Sequence, residues 1–270
     1  MTIGTMVGLQ NCIEEGFLNL KSLGLSHCQL SGFSEALCTE EFARRILEAI
    51  DREGVTITTY WCGWPGPAVW DFYEGPLTLG LTPVAYRFAR TEALKKGSDF
   101  AAALGVRQMA THAGFIPENP ADPEYPGIVS ALKDVVNRCK QNGQIFLFET
   151  GQETPVTLRR LIDDLGTEGI GVNFDPANLL LYGKANPLDA LDILGEFVRD
   201  IHAKDGEYPT NGRYLGEEKA LGQGRVNFPA LLKKLKGLGY DGPITIEREI
   251  SGEEQIKDIL AAAEMLRGLI

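Results

Sequence analysis

The sequence predicts a (β/α)8 barrel forming a single domain over residues 1–270, and three observations predict it. A chain of 270 residues suits one large core better than two small ones. Short apolar runs alternate with amphipathic helical patterns, the mark of repeated βα units feeding a parallel sheet. The runs number eight, the count at which such a sheet closes into a barrel. An open doubly wound sheet is the competing architecture. Against it, Gly222-Gln-Gly224 continues into Arg-Val and lacks the third glycine that opens a phosphate-binding helix.

Ile3–Gly8 is the first predicted strand and Ser26–Leu30 the second. Thr39, followed by Glu40 and Glu41, supplies a capped and dipole-matched start for a helix through Arg52. Val55–Tyr60, rich in β-branched side chains, is the third strand. A helix over Pro83–Leu104 leads to strand Arg107–His112, and one over Ile128–Asn142 leads to Gln144–Glu149. Helix Thr157–Leu165 precedes strand Gly169–Asp175, and Pro187–Phe197 precedes Asp200–Lys204. Asn227 caps a helix over Phe228–Leu238 before the eighth strand, Pro243–Glu247. Ser251, before Gly-Glu-Glu, starts the closing helix Gly252–Leu266. Proline and glycine cluster at Gly63-Trp-Pro-Gly-Pro67 and from Asn119 to Gly127, each just after a strand, as loops over a barrel's functional face do.

A hydrophobic fraction of 44% and a charged fraction of 23% describe an ordinary globular protein and exclude disordered and fibrous classes. The net charge of −11 repels a phosphate backbone, so neither nucleic acid nor an anionic membrane is expected as a partner. No apolar run approaches the roughly 18 residues of a membrane span, and the first residues lack a basic stretch leading into an apolar one. A cytoplasmic protein is the expectation. Cys12, Cys28, Cys38, Cys62 and Cys139 are scattered without C-x-x-C spacing and read as buried free thiols.

In such barrels the working site lies at the C-terminal ends of the strands, so polar side chains that terminate apolar strands are the candidates. Glu149 closes Gln-Ile-Phe-Leu-Phe-Glu, Asp175 closes Gly-Ile-Gly-Val-Asn-Phe-Asp, His202 follows Val-Arg-Asp-Ile, and Glu247 closes Pro-Ile-Thr-Ile-Glu. Side chains at i and i+2 share one face of a strand. Phe146 and Phe148 therefore turn outward and leave Glu149 inward, as Phe174 does for Asp175 and as Ile244 with Ile246 does for Glu247. Taken singly, each acid would equally cap a strand or pair with a helix lysine; repetition at four successive strand ends favours a site. Three carboxylates at one mouth repel unless protonated or bridged by a cation. With one imidazole they form an oxygen-rich set suited to Mn²⁺, Mg²⁺ or Co²⁺, and to Zn²⁺ as well.

At these residues the chain resembles the xylose isomerase-like barrel superfamily of sugar phosphate isomerases and epimerases, which includes tagatose 3-epimerase-type enzymes and inosose dehydratase. The matching segments are Leu147-Phe-Glu149, Asn173-Phe-Asp175, Ile201-His-Ala-Lys-Asp-Gly206, Gly222-Gln-Gly-Arg-Val-Asn-Phe228 and Gly239-Tyr-Asp-Gly-Pro-Ile-Thr-Ile-Glu247. The resemblance implies that Glu149, Asp175, His202 and Glu247 hold one divalent metal, with Mn²⁺ first, and that Glu149 and Glu247 form an acid/base pair. It also implies a substrate contact for His112, with plain core packing as the alternative. Two positions depart from the pattern: Asn178 stands three residues after Asp175 where epimerases of this type often have a histidine, and Gln29 stands where relatives have a glutamate. Both are carried as substrate contacts. Endonuclease IV shares the fold but needs a histidine-rich metal cluster, which three histidines cannot build.

Further candidate contacts follow from position and chemistry. Lys204 shares the face of His202 and can stabilise a developing negative charge, or simply pair with a carboxylate. Trp61 and Trp64 can stack on the apolar faces of a sugar or merely pack a loop, and Gln152 and Glu153 can bond its hydroxyls or be solvated. His27, one layer deeper than Gln29, reads as a core histidine. The function expected is a metal-dependent isomerase or epimerase acting by proton transfer next to a carbonyl. A lyase or hydratase acting on a 3-keto sugar or inosose follows closely, and a non-catalytic sugar-binding barrel is the rival from another class. With no glycine-rich phosphate cradle and no basic cluster, an unphosphorylated sugar is favoured. Association with further copies of the chain, as a homo-oligomer, stays open.

Overall fold

Eight parallel strands close on themselves in the computed structural model, which describes all 270 residues, Met1–Ile270. They are β1 (Thr2–Gly8), β2 (His27–Ser31), β3 (Thr56–Trp61), β4 (Gln108–Thr111), β5 (Ile145–Glu149), β6 (Ile170–Phe174), β7 (Val198–Ala203) and β8 (Pro243–Ile246). Each strand pairs with its sequence neighbours, and β1 pairs with β8 to seal the barrel, with Thr5 opposite Ile246. Every expected strand is present, each end lying within about two residues of its expected position.

The helices form the outer layer: α1 (Leu9–Glu15), α2 (Leu18–Ser22), α3 (Glu40–Glu53), α4 (Gly75–Thr78), α5 (Val84–Ala103), α6 (Tyr125–Gln141), α7 (Pro155–Leu165), α8 (Pro176–Leu181), α9 (Pro187–Leu194), α10 (Phe228–Gly237) and α11 (Glu253–Arg267). Local chemistry sets their starts. Thr39 accepts from Phe42 N at 3.3 Å, and Asn227 accepts from Ala230 N. Ser251 does not cap α11: the preceding residue is Gly252, at φ 86, and no side chain bonds the helix end. Helices α6 and α7 begin earlier than expected because Pro126 and Pro155 sit in their first turns, where a missing N–H costs nothing. The helix expected over Pro187–Phe197 ends at Leu194 and finishes as a 3-10 turn. Four short helices, α1, α2, α4 and α8, were not foreseen; each is too brief for a clear helical period.

Outside the strands, Phe146 and Phe148 pack edge to face at 5.0 Å, in the layer between barrel and helices. Inside, polar side chains meet. Asp200 on β7 accepts from Thr59 Oγ1 at 2.6 Å, Thr245 Oγ1 at 3.2 Å and Ile201 N at 2.8 Å. Burial raises its carboxyl to about 6, against the pull of Thr59. His27 lies lower, half-buried rather than in the core, beside Ser26 Oγ at 3.2 Å. Beyond β7, Asp205–Gly206 pairs antiparallel with Glu218–Lys219. The Asp205 carboxylate accepts from the backbone N–H of Gly206, Gly222, Gly224 and Val226, which fixes the loop leading to α10. Glycine at 224 is required there, since a Cβ would lie 2.2 Å from Asp205 Oδ1. All five cysteines are free, and only Cys38 is not fully buried. No helix is long and apolar enough to cross a membrane.

Candidate metal centre

Glu149 is the last residue of β5, Asp175 caps α8 directly after β6, His202 lies on β7, and Glu247 follows β8. Each offers one donor atom, and all four atoms lie within 4.8 Å of one another. His202 Nδ1 stands at the middle, 3.3 Å from Glu149 Oε1, 3.6 Å from Asp175 Oδ2 and 3.0 Å from Glu247 Oε2. Asp175 Oδ2, His202 Nδ1 and Glu247 Oε2 are buried and have no hydrogen-bond partner. Leaving such atoms unpaired is costly, and a cation at their centre would satisfy them together. The donor set and the orphaned atoms thus fit a divalent metal ion.

Burial opposes every charge here, and the charges hold one another in place. Burial pushes the Glu149 carboxyl up, yet His112 and His202 hold it well below the usual carboxylate range. Glu247 is also raised by burial and pulled down harder by Lys204 and His202, to about 2. For Asp175 burial prevails over Lys204, and its carboxyl is raised. Burial favours a neutral His202 ring, but Glu247 and Glu149 carry it well above its ordinary value. The same field that draws a proton to this imidazole would draw a cation.

The other residues named from sequence surround this cluster. His112 is buried with Nε2 3.3 Å from Glu149 Oε1. Asn178 donates to Glu149 Oε1 at 3.4 Å and accepts from Lys204 Nζ at 3.3 Å. Lys204 is buried, 3.2 Å from Glu247 Oε2 and 3.0 Å from Glu249 Oε2. Trp61 Nε1 donates to Glu149 Oε2. Gln152 is buried with both amide atoms unpartnered, and Glu153 Oε2 is also unpartnered. Gln29 is fully buried, its amide taken up by His202 and Asn173.

Aromatic rings wall the site on one side. Trp61 and Trp64 lie 6.0 Å apart, Trp64 and Trp70 6.3 Å, and Trp70 sits 5.2 Å from His112. Arg90 staples this loop. Its guanidinium is fully buried, donates to the carbonyls of Pro65, Pro67, Thr78 and Gly80, and lies over the Trp64 ring. A cavity of about 450 Å³ between the loops after β1 and β8 has Glu247 in its wall. Sequence reasoning missed Asn173, Trp70 and Arg90. Asn173 carried a usable signal, because it shares a strand face with Asp175. Trp70 sits in irregular backbone and Arg90 mid-helix, where no period marks them.

A family model described as xylose isomerase-like TIM barrel matches residues 17–269. The chain superposes on a xylose isomerase domain protein from Planctomyces limnophilus with a TM-score of 0.94 and 34% identity, covering 99% of this chain and 96% of that one. A D-tagatose 3-epimerase-like protein matches in fold with a TM-score of 0.76 and 20% identity, over 100% of this chain and 97% of that one. Among curated relatives, inosose dehydratase from Lacticaseibacillus casei is 24% identical over 144 residues, 47% of this chain and 48% of its own. The aligned stretches span 48% to 60% of the curated relatives' own lengths.

Proposed function

The chain belongs to the xylose isomerase-like TIM barrel family, and on that premise we propose that it is a divalent-metal-dependent isomerase or epimerase acting by proton transfer next to the carbonyl of an unphosphorylated sugar or keto-sugar. The observation that carries this reading is the convergence of Glu149, Asp175, His202 and Glu247, with Asp175 Oδ2 and His202 Nδ1 buried and without a hydrogen-bond partner. Mn²⁺ is the ion assigned first, ahead of Mg²⁺, Co²⁺ and Zn²⁺. When bound, such an ion acts as a Lewis acid that acidifies the carbon between a carbonyl and its neighbouring hydroxyl.

Glu149 on β5 and Glu247 after β8 come from strands three places apart around the barrel, so they approach a substrate from different sides. They are the pair assigned to remove and return the proton. Asp175 spends one carboxylate oxygen on a helix cap and is left to hold the cation. Lys204, beside Glu247, offers an ammonium to negative charge developing on a substrate oxygen. His112 and Asn178 flank Glu149 for the same purpose. Gln152, unpartnered, supplies a donor and an acceptor for sugar hydroxyls, and Trp61 offers a ring face to the sugar's C–H groups.

A lyase or hydratase is the second reading, because elimination from a keto-sugar begins with the same proton abstraction. Glu153 favours it: the carboxyl is buried with Oε2 unpartnered, and burial raises it to about 7 against the field of His112, so part of it carries a proton at neutral pH. Against a barrel kept only for sugar binding, both glutamates are present. The deciding experiment incubates Mn²⁺-loaded protein in D₂O with free ketoses and 3-keto sugars and follows the carbon-bound hydrogen by NMR. Exchange with an isomerised or epimerised product is expected. A dehydrated product moves the assignment to the lyase, and no exchange with any sugar leaves the binding protein.

A further inference from the structure

Gln29 lies beneath the ligand cluster, fully buried at the middle of β2, and its amide is committed on both sides. Gln29 Oε1 is 3.1 Å from His202 Nε2, and Gln29 Nε2 donates to Asn173 Oδ1 at 3.2 Å. Asn173 Nδ2 is 3.0 Å from the same His202 nitrogen and donates to Glu149 Oε2 at 3.5 Å. His202 therefore presents Nδ1 to three carboxylates and Nε2 to two amides. A metal bond at Nδ1 needs a lone pair there, so the ring proton must sit on Nε2 and find an acceptor.

Only one of the two amides can be that acceptor. Turning Asn173 over would set its oxygen against the Glu149 carboxylate, so its NH₂ stays toward Glu149 and its oxygen toward Gln29. That oxygen demands the Gln29 NH₂, which leaves the Gln29 carbonyl facing His202. The orientations of Glu149, Asn173, Gln29 and His202 thus determine one another in a closed chain.

We propose that Gln29 is a positioning residue that fixes His202 in its Nε2–H tautomer and aims Nδ1 at the metal, rather than a residue that touches substrate. The role rests on the metal-dependent reading above and adds to it the group that selects which imidazole nitrogen binds. Gln29→Leu removes the acceptor while keeping the bulk. Gln29→Glu keeps it, since a carboxyl oxygen facing His202 accepts from Nε2–H whether or not the acid is ionised.

The test is titration of the three purified proteins with Mn²⁺ alone, together with imidazole ¹⁵N NMR of the Zn²⁺-loaded forms. Only three histidines contribute, so the His202 signals can be assigned. Wild type is expected to show metal on Nδ1 and a slowly exchanging proton on Nε2. Gln29→Leu is expected to lose about 10- to 100-fold in Mn²⁺ affinity and the protected Nε2 proton, and Gln29→Glu to recover both. Metal on Nε2 in the wild type overturns the proposal without any variant, so a poorly folding Gln29→Leu does not shelter it. Gln29→Leu matching wild type, or Gln29→Glu failing as badly as Gln29→Leu, overturns it while the metal site stands. Absence of Mn²⁺ binding by the wild type removes the metal reading and this role together.

Discussion

Asp175 divides its two oxygens between structure and site: Oδ1 accepts from Asn178 N at 2.8 Å and caps α8, while Oδ2 is left unpartnered among the ligand atoms. The cap holds the free oxygen in place without a second side chain. Asp175→Asn should preserve the cap, since asparagine serves as well there, and remove one negative charge from the ligand set. We expect Mn²⁺ affinity to fall by about tenfold or more, because a charge in a buried site is worth more than the ~1.4 kcal/mol that factor represents. Asp175→Ala should lose the same affinity and a further ~1 kcal/mol of stability from the cap. Paired Mn²⁺ titrations and urea unfolding would check this; undiminished Mn²⁺ binding in both variants would take Asp175 out of the ligand set.

Trp61 joins the aromatic wall to the chemistry, since its indole N–H donates to Glu149 while its ring packs near Trp64 and His112. Trp61→Phe keeps most of the wall and deletes the bond. Hydrogen bonds to charged groups contribute about 1.5–3 kcal/mol, so turnover should drop by roughly 10-fold or more with KM little changed. Trp61→Ala should raise KM as well. Steady-state kinetics on the sugar that gives exchange would separate the two effects, and an unchanged KM in Trp61→Ala would mean the ring takes no part in binding.

Arg90 is buried with no carboxylate among its partners; burial lowers it to about 10, and four carbonyls and two ring faces stand in for a counter-ion. Arg90→Met would leave those carbonyls without donors. At about 1–3 kcal/mol for each buried group left unpaired, offset by relaxation of the loop, a net loss of about 3–5 kcal/mol is expected. Arg90→Lys, lacking the fork, should recover only part. Trp64 and Trp70 should become mobile in both variants, and their fluorescence on denaturant unfolding reports stability and loop order together. A Met variant as stable as wild type would show that the loop holds itself.

Glu153 is fully buried and its carboxyl is raised from 4.5 to about 7 by burial, partly opposed by His112. Between those values the folded protein binds a proton that the unfolded chain has released, so stability falls as pH rises through this window. Glu153→Gln removes the penalty. At pH 8 it should stabilise the metal-free protein by on the order of 3 kcal/mol, and near pH 4 the advantage should vanish. Thermal unfolding of both proteins across that range checks the sign; an advantage that grows toward low pH would contradict it.

The barrel was legible because its signals are local and repeated: β-branched runs, capped helices and a side-chain period of two, which alone turned Glu149, Asp175 and Glu247 inward. Features that depend on distant parts of the chain were not. Ser251 looks like a cap in sequence, but Gly252 takes φ 86 and swings the chain away before α11 begins. Gln29 was named as a substrate contact by resemblance, and nothing along its own strand reveals that His202 and Asn173 take up its amide from across the barrel. Arg90 meets only the Tyr86 ring on its own helix and sends all its hydrogen bonds outside it, so nothing around it in sequence reveals the loop it holds.

The last prediction separates holding a metal from moving a proton. Glu149 and Glu247 both face His202 Nδ1, so either variant should weaken the metal site to some degree. Glu→Gln keeps the shape and an oxygen that can coordinate, but not the base. With Mn²⁺ in excess, Glu149→Gln and Glu247→Gln should regain metal while remaining about 10²- to 10⁴-fold slower, the usual contribution of a positioned general base. Asp175→Asn, whose residue is assigned only to hold the ion, should regain activity as it regains metal. Deuterium exchange measured at matched occupancy makes the comparison direct. If one glutamine variant still exchanges at the wild-type rate, the base is the other glutamate alone; if both do, neither glutamate moves the proton and the assignment of the pair is wrong.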